Sequence, residues 1–284
     1  MAELSVAEAQ SRASLLRFRA ESYLALHRRD DALADLSQAI ELVPDDPRAW
    51  RSRGECHRLS GEYEAALADF GQALKLDPDS AYALGSRGQA YAALGNAAAA
   101  VADFERALAL EPETAWILTS YADVLADLGR FEDALAVHKR IIGRYGTADA
   151  YAHRGDLYQS MDLYPEAIED FTRAVEADPA HARAYAQRGE SLRMLGRDEE
   201  ALADLNRSLE LDPDNERTLG SRGAVLSDLG RPEEALADLD RAVELDPGYV
   251  WAFRVRGEIL QELDRHEEAI ADFSRALELE FGEA

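Results

Sequence analysis

An Arg-Gly dipeptide recurs at Arg53-Gly54, Arg87-Gly88, Arg154-Gly155, Arg188-Gly189, Arg222-Gly223 and Arg256-Gly257, in steps of 34, 67, 34, 34 and 34 residues. The long step is one missing marker plus one deleted residue. A second series, Ala32, Ala66, Ala100, Ala134, Ala167, Ala201, Ala235 and Ala269, fills that gap and sets the count at eight units. Prolines punctuate the same period at Pro44, Pro78, Pro112, Pro179, Pro213 and Pro247. A fixed period outranks every other constraint on the fold. Each unit of a repeat array packs on its neighbours alone, so 284 residues need not divide into globular domains.

Within a unit, large residues of the first half recur at i, i+7 and i+10, as in Tyr151, Tyr158 and Met161, with Gly155 on the same face. That spacing makes one apolar stripe on a helix. Gly155 and its equivalents, with Ala167 and Ala174 in the second half, remove side-chain bulk where two helices must approach. Glycine inside a helix costs about 1 kcal/mol against alanine, so its recurrence marks a steric requirement. Gly61, Gly95, Gly129, Gly196 and Gly230 fall between the halves, where a left-handed helix C-terminus fits. Each proline ends the second helix and begins the next unit.

One unit carries Trp50, Gly54, Gly61, Tyr63, Ala66, Phe70, Ala73 and Pro78. Period and residues together resemble the tetratricopeptide repeat, whose 34-residue signature sets a large residue, Gly, Tyr, Ala, Phe and Pro at fixed offsets. The resemblance covers nearly the whole chain. It implies an all-α fold, a right-handed superhelical solenoid of about eight antiparallel helix pairs. The units on this reading are 13–46, 47–80, 81–114, 115–147, 148–181, 182–215, 216–249 and 250–283, one solenoid over 13–283, with 1–12 as a lead-in to the first helix.

Seven units place Arg beside the packing glycine, or its Ala20 counterpart, and the same seven place Asp sixteen residues later: Arg19 with Asp35, Arg53 with Asp69, Arg87 with Asp103, Arg154 with Asp170, Arg188 with Asp204, Arg222 with Asp238, and Arg256 with Asp272. The fourth unit has Tyr121 and Val137, so both charges vanish together. A pairing of each Asp with the Arg three residues on fails as a rule, because Asp35 and Asp69 are followed by Gln38 and Gln72. The expectation is a partly buried interhelical ion pair in each unit but the fourth, structural in role.

The pattern breaks in two places. The linker Gly143-Arg144-Tyr145-Gly146-Thr147 is one residue short and lacks Leu-Asp-Pro, which reads either as a variant turn or as a hinge between units one to four and five to eight. Ala97 to Ala100 replace the usual start of a second helix, which predicts looser packing in unit three. At the far end, Phe273, Leu277 and Phe281 have no following helix to cover them. Terminal repeats normally present a polar face, so the expectation is either that the chain is cut from something longer or that this end meets a partner, self-association through the C-terminal repeat being one case.

The formal charge of -25 opposes phosphate backbones and anionic headgroups, which argues against nucleic acid and membrane surfaces as partners. No apolar run approaches the roughly 20 residues of a membrane span, and the chain reads as cytoplasmic. The nucleotide-binding, nucleophile-elbow and paired-cysteine motifs are missing, and the six histidines are scattered without ligand spacing, reading as surface or core-edge residues. No catalytic residue, metal or cofactor is assigned, and Cys56 reads as a small packing residue.

The resemblance implies instead a protein or peptide ligand held on a concave face lined by the first helix of each unit. Carried over position by position, it nominates Arg48, Arg51, Arg58, Tyr82, Trp116, Arg183, Arg193, Arg217 and Trp251. Arg17, Arg51 and Arg254 have an acid four residues on (Glu21, Glu55, Glu258), which suggests a solvated, self-paired helix face. Arg48, Arg183 and Arg217 lack such a neighbour and, with Tyr82 and Trp116, are the foremost candidates. A row of Ser52, Ser86, Ser120 and Ser221, with His153 and Gln187, either hydrogen-bonds a peptide backbone or is packing filler. Three readings stay open: a non-catalytic scaffold or adaptor, a regulatory segment of a larger signalling protein or enzyme, and a self-assembling structural protein.

Overall fold

A computed structural model describes residues 5–282. These form sixteen helices in eight consecutive pairs, and no strand occurs among the described residues. The chain divides into two compact units between Arg144 and Tyr145.

The first unit contains α1 (Val6–Ala25), α2 (Arg29–Leu42), α3 (Pro47–Leu59), α4 (Tyr63–Leu76), α5 (Ala81–Ala93), α6 (Ala97–Leu110), α7 (Ala115–Asp127) and α8 (Phe131–Tyr145), the last ending one residue past the division. The second contains α9 (Ala148–Ser160), α10 (Tyr164–Ala177), α11 (Ala182–Met194), α12 (Asp198–Leu211), α13 (Glu216–Asp228), α14 (Pro232–Leu245), α15 (Val250–Glu262) and α16 (His266–Phe281). Four residues separate one pair from the next everywhere except after α8, where only Gly146 and Thr147 intervene. The division falls inside the irregular 143–147 stretch.

The first helix departs from expectation. Residues 6–12 are not a lead-in but the first two turns of α1, because Ser5 and Glu8 form a reciprocal cap: Ser5 Oγ accepts from the Glu8 amide at 3.3 Å and the Glu8 carboxylate accepts from the Ser5 amide at 2.9 Å. The rest of the lead-in, residues 1–4, and position 283 of the last repeat lie outside the described residues.

Sterics explain the recurrent small residues. A Cβ placed on Gly155 would stand 2.7 Å from the Phe171 ring, and one on Gly257 would stand 2.8 Å from Phe273. Ala32, Ala66, Ala100, Ala134, Ala167, Ala201, Ala235 and Ala269 are buried on the facing helix. Unit three is no exception: Phe104 is fully buried, its ring 3.0 Å from where a Cβ on Gly88 would stand, and Asn96 caps α6 through the Ala99 amide. The expected loose packing there is not found, because an alanine-rich first turn still supplies the buried Ala100.

Every second helix with a following proline ends on an extended residue, such as Asp77 at φ -135° and ψ 87°, the conformation a proline imposes on its predecessor. Between paired helices, Gly61 has φ 77° and Gly230 has φ 71°. Where glycine is absent, His27, Asp162 and Asp264 adopt the same positive φ of 57°.

The seven Arg and Asp residues are joined as forks. Arg53 donates from Nε to Asp69 Oδ2 at 2.7 Å and from Nη2 to Asp69 Oδ1 at 2.8 Å, and the other six pairs repeat this at 2.6 to 2.7 Å. The Asp side chains are buried and the hydrogen bond to Asp69 raises the basicity of the Arg53 guanidinium. None of the Arg residues three positions after these Asp takes part. Arg106 donates instead to the Pro78 carbonyl at 2.6 Å, and in the fourth unit Arg140 donates to the Pro112 carbonyl at 2.9 Å.

A third arm of the fork was not legible in the sequence pattern. Nη1 of Arg53, Arg188, Arg222 and Arg256 reaches back to Ser37, Thr172, Asn206 and Asp240 of the preceding repeat at 3.2, 3.1, 2.9 and 2.7 Å. In the fourth repeat Tyr121, standing in the Arg position, donates to Glu105 at 3.1 Å. The unit that lost its internal pair has kept its tie to the preceding second helix.

Candidate functional site

The first helices contact one another in succession, α1 with α3, α3 with α5 and α5 with α7 in the first unit, and α9 with α11, α11 with α13 and α13 with α15 in the second. Side chains near the start of each first helix thus meet the middle of the one before. Arg51 on α3 lies 4.9 Å from the Tyr82 ring centre on α5, and Tyr82 lies 5.6 Å from Trp116 on α7. Three nominated residues from three helices therefore form one patch, with Tyr82 exposed. Partial burial raises the Tyr82 hydroxyl pKa, with the Glu55 charge adding to the effect.

Trp116 is half-buried because it folds down over Gly85, where a Cβ would approach its ring to 2.5 Å. Trp251 repeats this over Gly220, where a Cβ would approach to 2.9 Å, and it also stacks on Tyr249 at 5.8 Å. Both tryptophans were nominated as ligand anchors, and each devotes one face to the preceding repeat. The signal was present in the sequence, since Gly85 and Gly220 stand 31 residues before Trp116 and Trp251. It becomes readable only once the first helices are known to touch at that offset.

The charges are arranged differently from expectation. Arg48, with no acid four residues on, donates instead to Asp46, its own helix cap, at 2.9 Å. Arg183, likewise without one, donates to Asp156 of the preceding repeat at 2.6 Å. Of the three predicted pairs at a spacing of four, Arg17 with Glu21 forms at 2.7 Å and Arg254 with Glu258 is loose at 3.9 Å. Arg51 with Glu55 does not form, because Arg58 takes Glu55 at 2.7 Å and Arg51 turns to Tyr82. Arg193 is held by Glu190 at 2.6 Å. The search for partners at one helical spacing missed neighbours on adjacent repeats.

Arg217 stands apart, exposed at the start of α13 with no salt bridge among the described residues. It lines a cleft of about 320 Å³ with Arg183, Gln187, Glu190, Asn215 and Ser221. A second cleft of about 320 Å³ holds Arg193, Trp251, Arg254, Glu258 and Asp228, and there burial raises the Asp228 pKa, with Asp198 adding to the shift.

The small polar row is drawn into contacts between repeats. Ser120 accepts from Gln89 at 2.7 Å, and Gln187 donates to Asp156 at 3.2 Å and to Gln159 at 3.0 Å. Ser86 is buried. Among the histidines, His138 is a core residue on α8 rather than a surface or core-edge one, filling the place that Phe104 and Phe171 occupy in their repeats. Cys56 is fully buried with Sγ 3.6 Å from the Arg29 carbonyl.

A family profile described as Tetratricopeptide repeat matches residues 19–83, 60–115, 152–216 and 222–280, and a second profile of the same description matches 91–157. The fold is similar to that of a tetratricopeptide repeat protein from Parabacteroides merdae ATCC 43184, with TM-score 0.68 and 18% identity over 92% of this chain and 99% of that one. It is similar to the Cut9-Hcn1 hetero-tetramer of the APC/C, with TM-score 0.66 and 15% identity over 95% of this chain and 53% of that one, so the chain spans about half of that relative. A thermophilic repeat protein of Thermus thermophilus aligns with TM-score 0.53 and 22% identity over 63% of this chain and 98% of that one. No curated protein matches the sequence.

Proposed function

Because the chain belongs to the tetratricopeptide repeat family, we propose that it is a non-catalytic scaffold that holds a protein or peptide segment on the face formed by its first helices. A fold of this kind hosts many clients, so the reading rests on the face itself. The observation that carries it is the convergence of Arg51, Tyr82 and Trp116 from three successive repeats into one partly exposed patch. Aromatic and arginine side chains dominate binding energy when they are rigidly presented, and here the two rings and the guanidinium hold one another in place. In the second unit the anchor is Arg217 in its cleft, a cation with no internal acid to displace among the described residues. Arg48 and Arg58 in the first unit, and Arg183, Arg193 and Trp251 in the second, are each already engaged within the protein and flank the anchor of their own unit.

The ligand class is a polypeptide. A net charge of -25 opposes nucleic acid and anionic lipid, and no helix among the described residues is long and apolar enough to cross a membrane. We place the protein in the cytoplasm on the same reading. No cofactor takes part.

Panning a displayed random-peptide library against the protein, followed by fluorescence anisotropy with the selected peptides, tests the site. Tyr82→Ala and Arg217→Glu should each weaken binding about tenfold or more, corresponding to at least about 1.4 kcal/mol. Selected peptides that bind both folded variants as tightly as the parent would remove the site.

A further inference from the structure

An exposed apolar face on α1 and another on α16 match each other. In internal repeats the third residue of the first helix is buried against the preceding second helix, as Ala49, Ala83, Ile117, Ala184, Thr218 and Ala252 show. In α1 the same position is Leu15, 67% exposed, and the neighbouring Phe18 is 55% exposed. The second helices show the converse. Ile40, Leu74, Leu108, Val175 and Leu209 are no more than 8% exposed beneath the next repeat, whereas their equivalent in α16, Leu277, is 50% exposed and Ile270, two turns earlier on that surface, is 64% exposed. Isolated apolar residues on a surface need no explanation, but Leu15 sits where the interior repeats bury the equivalent residue, Leu277 where they bury or half-bury it, and Phe18 and Ile270 where most of them half-bury it.

The polar tie between repeats is left half-made at both ends. Arg19 makes its two bonds to Asp35, but its Nη1 has no acceptor among the described residues of the kind that Ser37 offers to Arg53. Ser274 on α16 occupies the position of Ser37, also a serine, and among the described residues its hydroxyl meets the Ile270 carbonyl and no Arg. Arg17 with Glu21, Arg19 with Asp35, Asp272 with Arg256, Glu268 with Arg265 and Glu278 with Arg275 are paired within the chain, which leaves Arg12 beside the capping Glu8 on α1 and Glu267 and Glu280 on α16.

We propose that copies of this chain associate head to tail, α1 of one copy packing on α16 of the next as first helices pack on second helices inside the array. Leu15 and Phe18 then cover Ile270 and Leu277, and Arg19 Nη1 of one copy meets Ser274 Oγ of the other. The full burial of Ile117 against α6 shows that such a junction accommodates a large aliphatic residue at the third position. The interface joins two different surfaces, so association continues into a ring or an open filament and does not stop at a two-fold dimer. This contact is separate from the first-helix face.

Sedimentation velocity over a concentration series tests the proposal with two double variants of the full chain, Leu15→Glu with Phe18→Glu and Ile270→Glu with Leu277→Glu. The parent should grow past twice the mass of one chain as concentration rises. Each variant alone should stay at the mass of one chain. An equimolar mixture of the two should double in mass, because each retains the face the other lacks. Helix content by circular dichroism checks folding, and Phe18→Ser and Leu277→Ser serve if it falls. A parent that remains a single chain at its highest soluble concentration overturns the proposal, as does an α1 variant that still associates by itself or a mixture that does not double.

Discussion

The Arg188 guanidinium meets the Asp204 carboxylate through two parallel hydrogen bonds, Nε to Oδ2 at 2.6 Å and Nη2 to Oδ1 at 2.7 Å. Its remaining nitrogen reaches Thr172 in the preceding repeat at 3.1 Å. One planar side chain thus ties three helices, α10, α11 and α12, which a lysine point charge cannot do.

Removing the acid should be costly and replacing the pair should not. Asp204→Ala leaves a partly buried guanidinium without its partner and should lower stability by about 3 to 5 kcal/mol, read as a shift of the urea midpoint. Arg188→Tyr combined with Asp204→Val copies Tyr121 and Val137 of the fourth repeat and should recover most of that loss. A double variant as unstable as Asp204→Ala would refute the equivalence.

Two helical glycines should respond in opposite directions to the same change. Gly155→Ala forces a methyl to within 2.7 Å of Phe171, itself fully buried and unable to withdraw, and should cost about 1 to 3 kcal/mol. A Cβ on Gly71 of α4 meets nothing within 4 Å, so Gly71→Ala should gain up to about 1 kcal/mol from helix propensity. Gly71→Ser should stabilise at least as well despite the poorer propensity of serine, because position 71 stands where Ser37 and Thr172 serve Arg53 and Arg188, and its hydroxyl would accept from Arg87. Thermal unfolding of the three variants ranks them.

Asp264 adopts φ 57° between α15 and α16, where Gly61, Gly95, Gly129, Gly196 and Gly230 stand in five other repeats. A side chain in that left-handed region costs roughly 1 to 2 kcal/mol, so Asp264→Gly should raise the melting temperature. Asp162 has the same φ but accepts from the Tyr164 hydroxyl at 2.8 Å, and Asp162→Gly should gain less. Equal gains would mean that the Tyr164 contact contributes nothing.

Burial pushes the Cys56 thiol from an ordinary 9.0 up to about 11. The folded chain keeps this proton in a range where the unfolded chain releases it, so the unfolded state binds fewer protons and stability falls as pH rises from about 9 to 11. Cys56→Ala should flatten that slope. At neutral pH a disulfide reagent should label the native protein many times more slowly than the urea-unfolded chain, and equal rates would show the thiol to be accessible.

The Arg and Asp forks were legible because the chain contains eight versions of one unit, and the joint loss of both charges at Tyr121 and Val137 acts as an internal control. The groove charges offered no such control. Arg51 has an acid at an ideal spacing and ignores it, since Arg58 holds Glu55 through a fork and the Tyr82 ring attracts Arg51 from the next repeat. The capping box at Ser5 and Glu8 was readable in principle, being a local signal, but the repeat boundary at residue 13 drew the start of the helix inward.

By itself the sequence determined the number of helix pairs, the close approach of paired helices at glycine and alanine, and the pairing of charges sixteen residues apart. All of these are contacts within one repeat, set by helical geometry and a short turn. Only the tertiary structure decided which residues 27 to 32 positions apart meet, as Arg183 meets Asp156 and Gln159 meets Ser191, and hence which side chains of the first-helix face remain available. Those choices turn on how one helix pair lies against the next, and several partners compete there at similar distances, so packing selects among options that the linear pattern leaves equivalent.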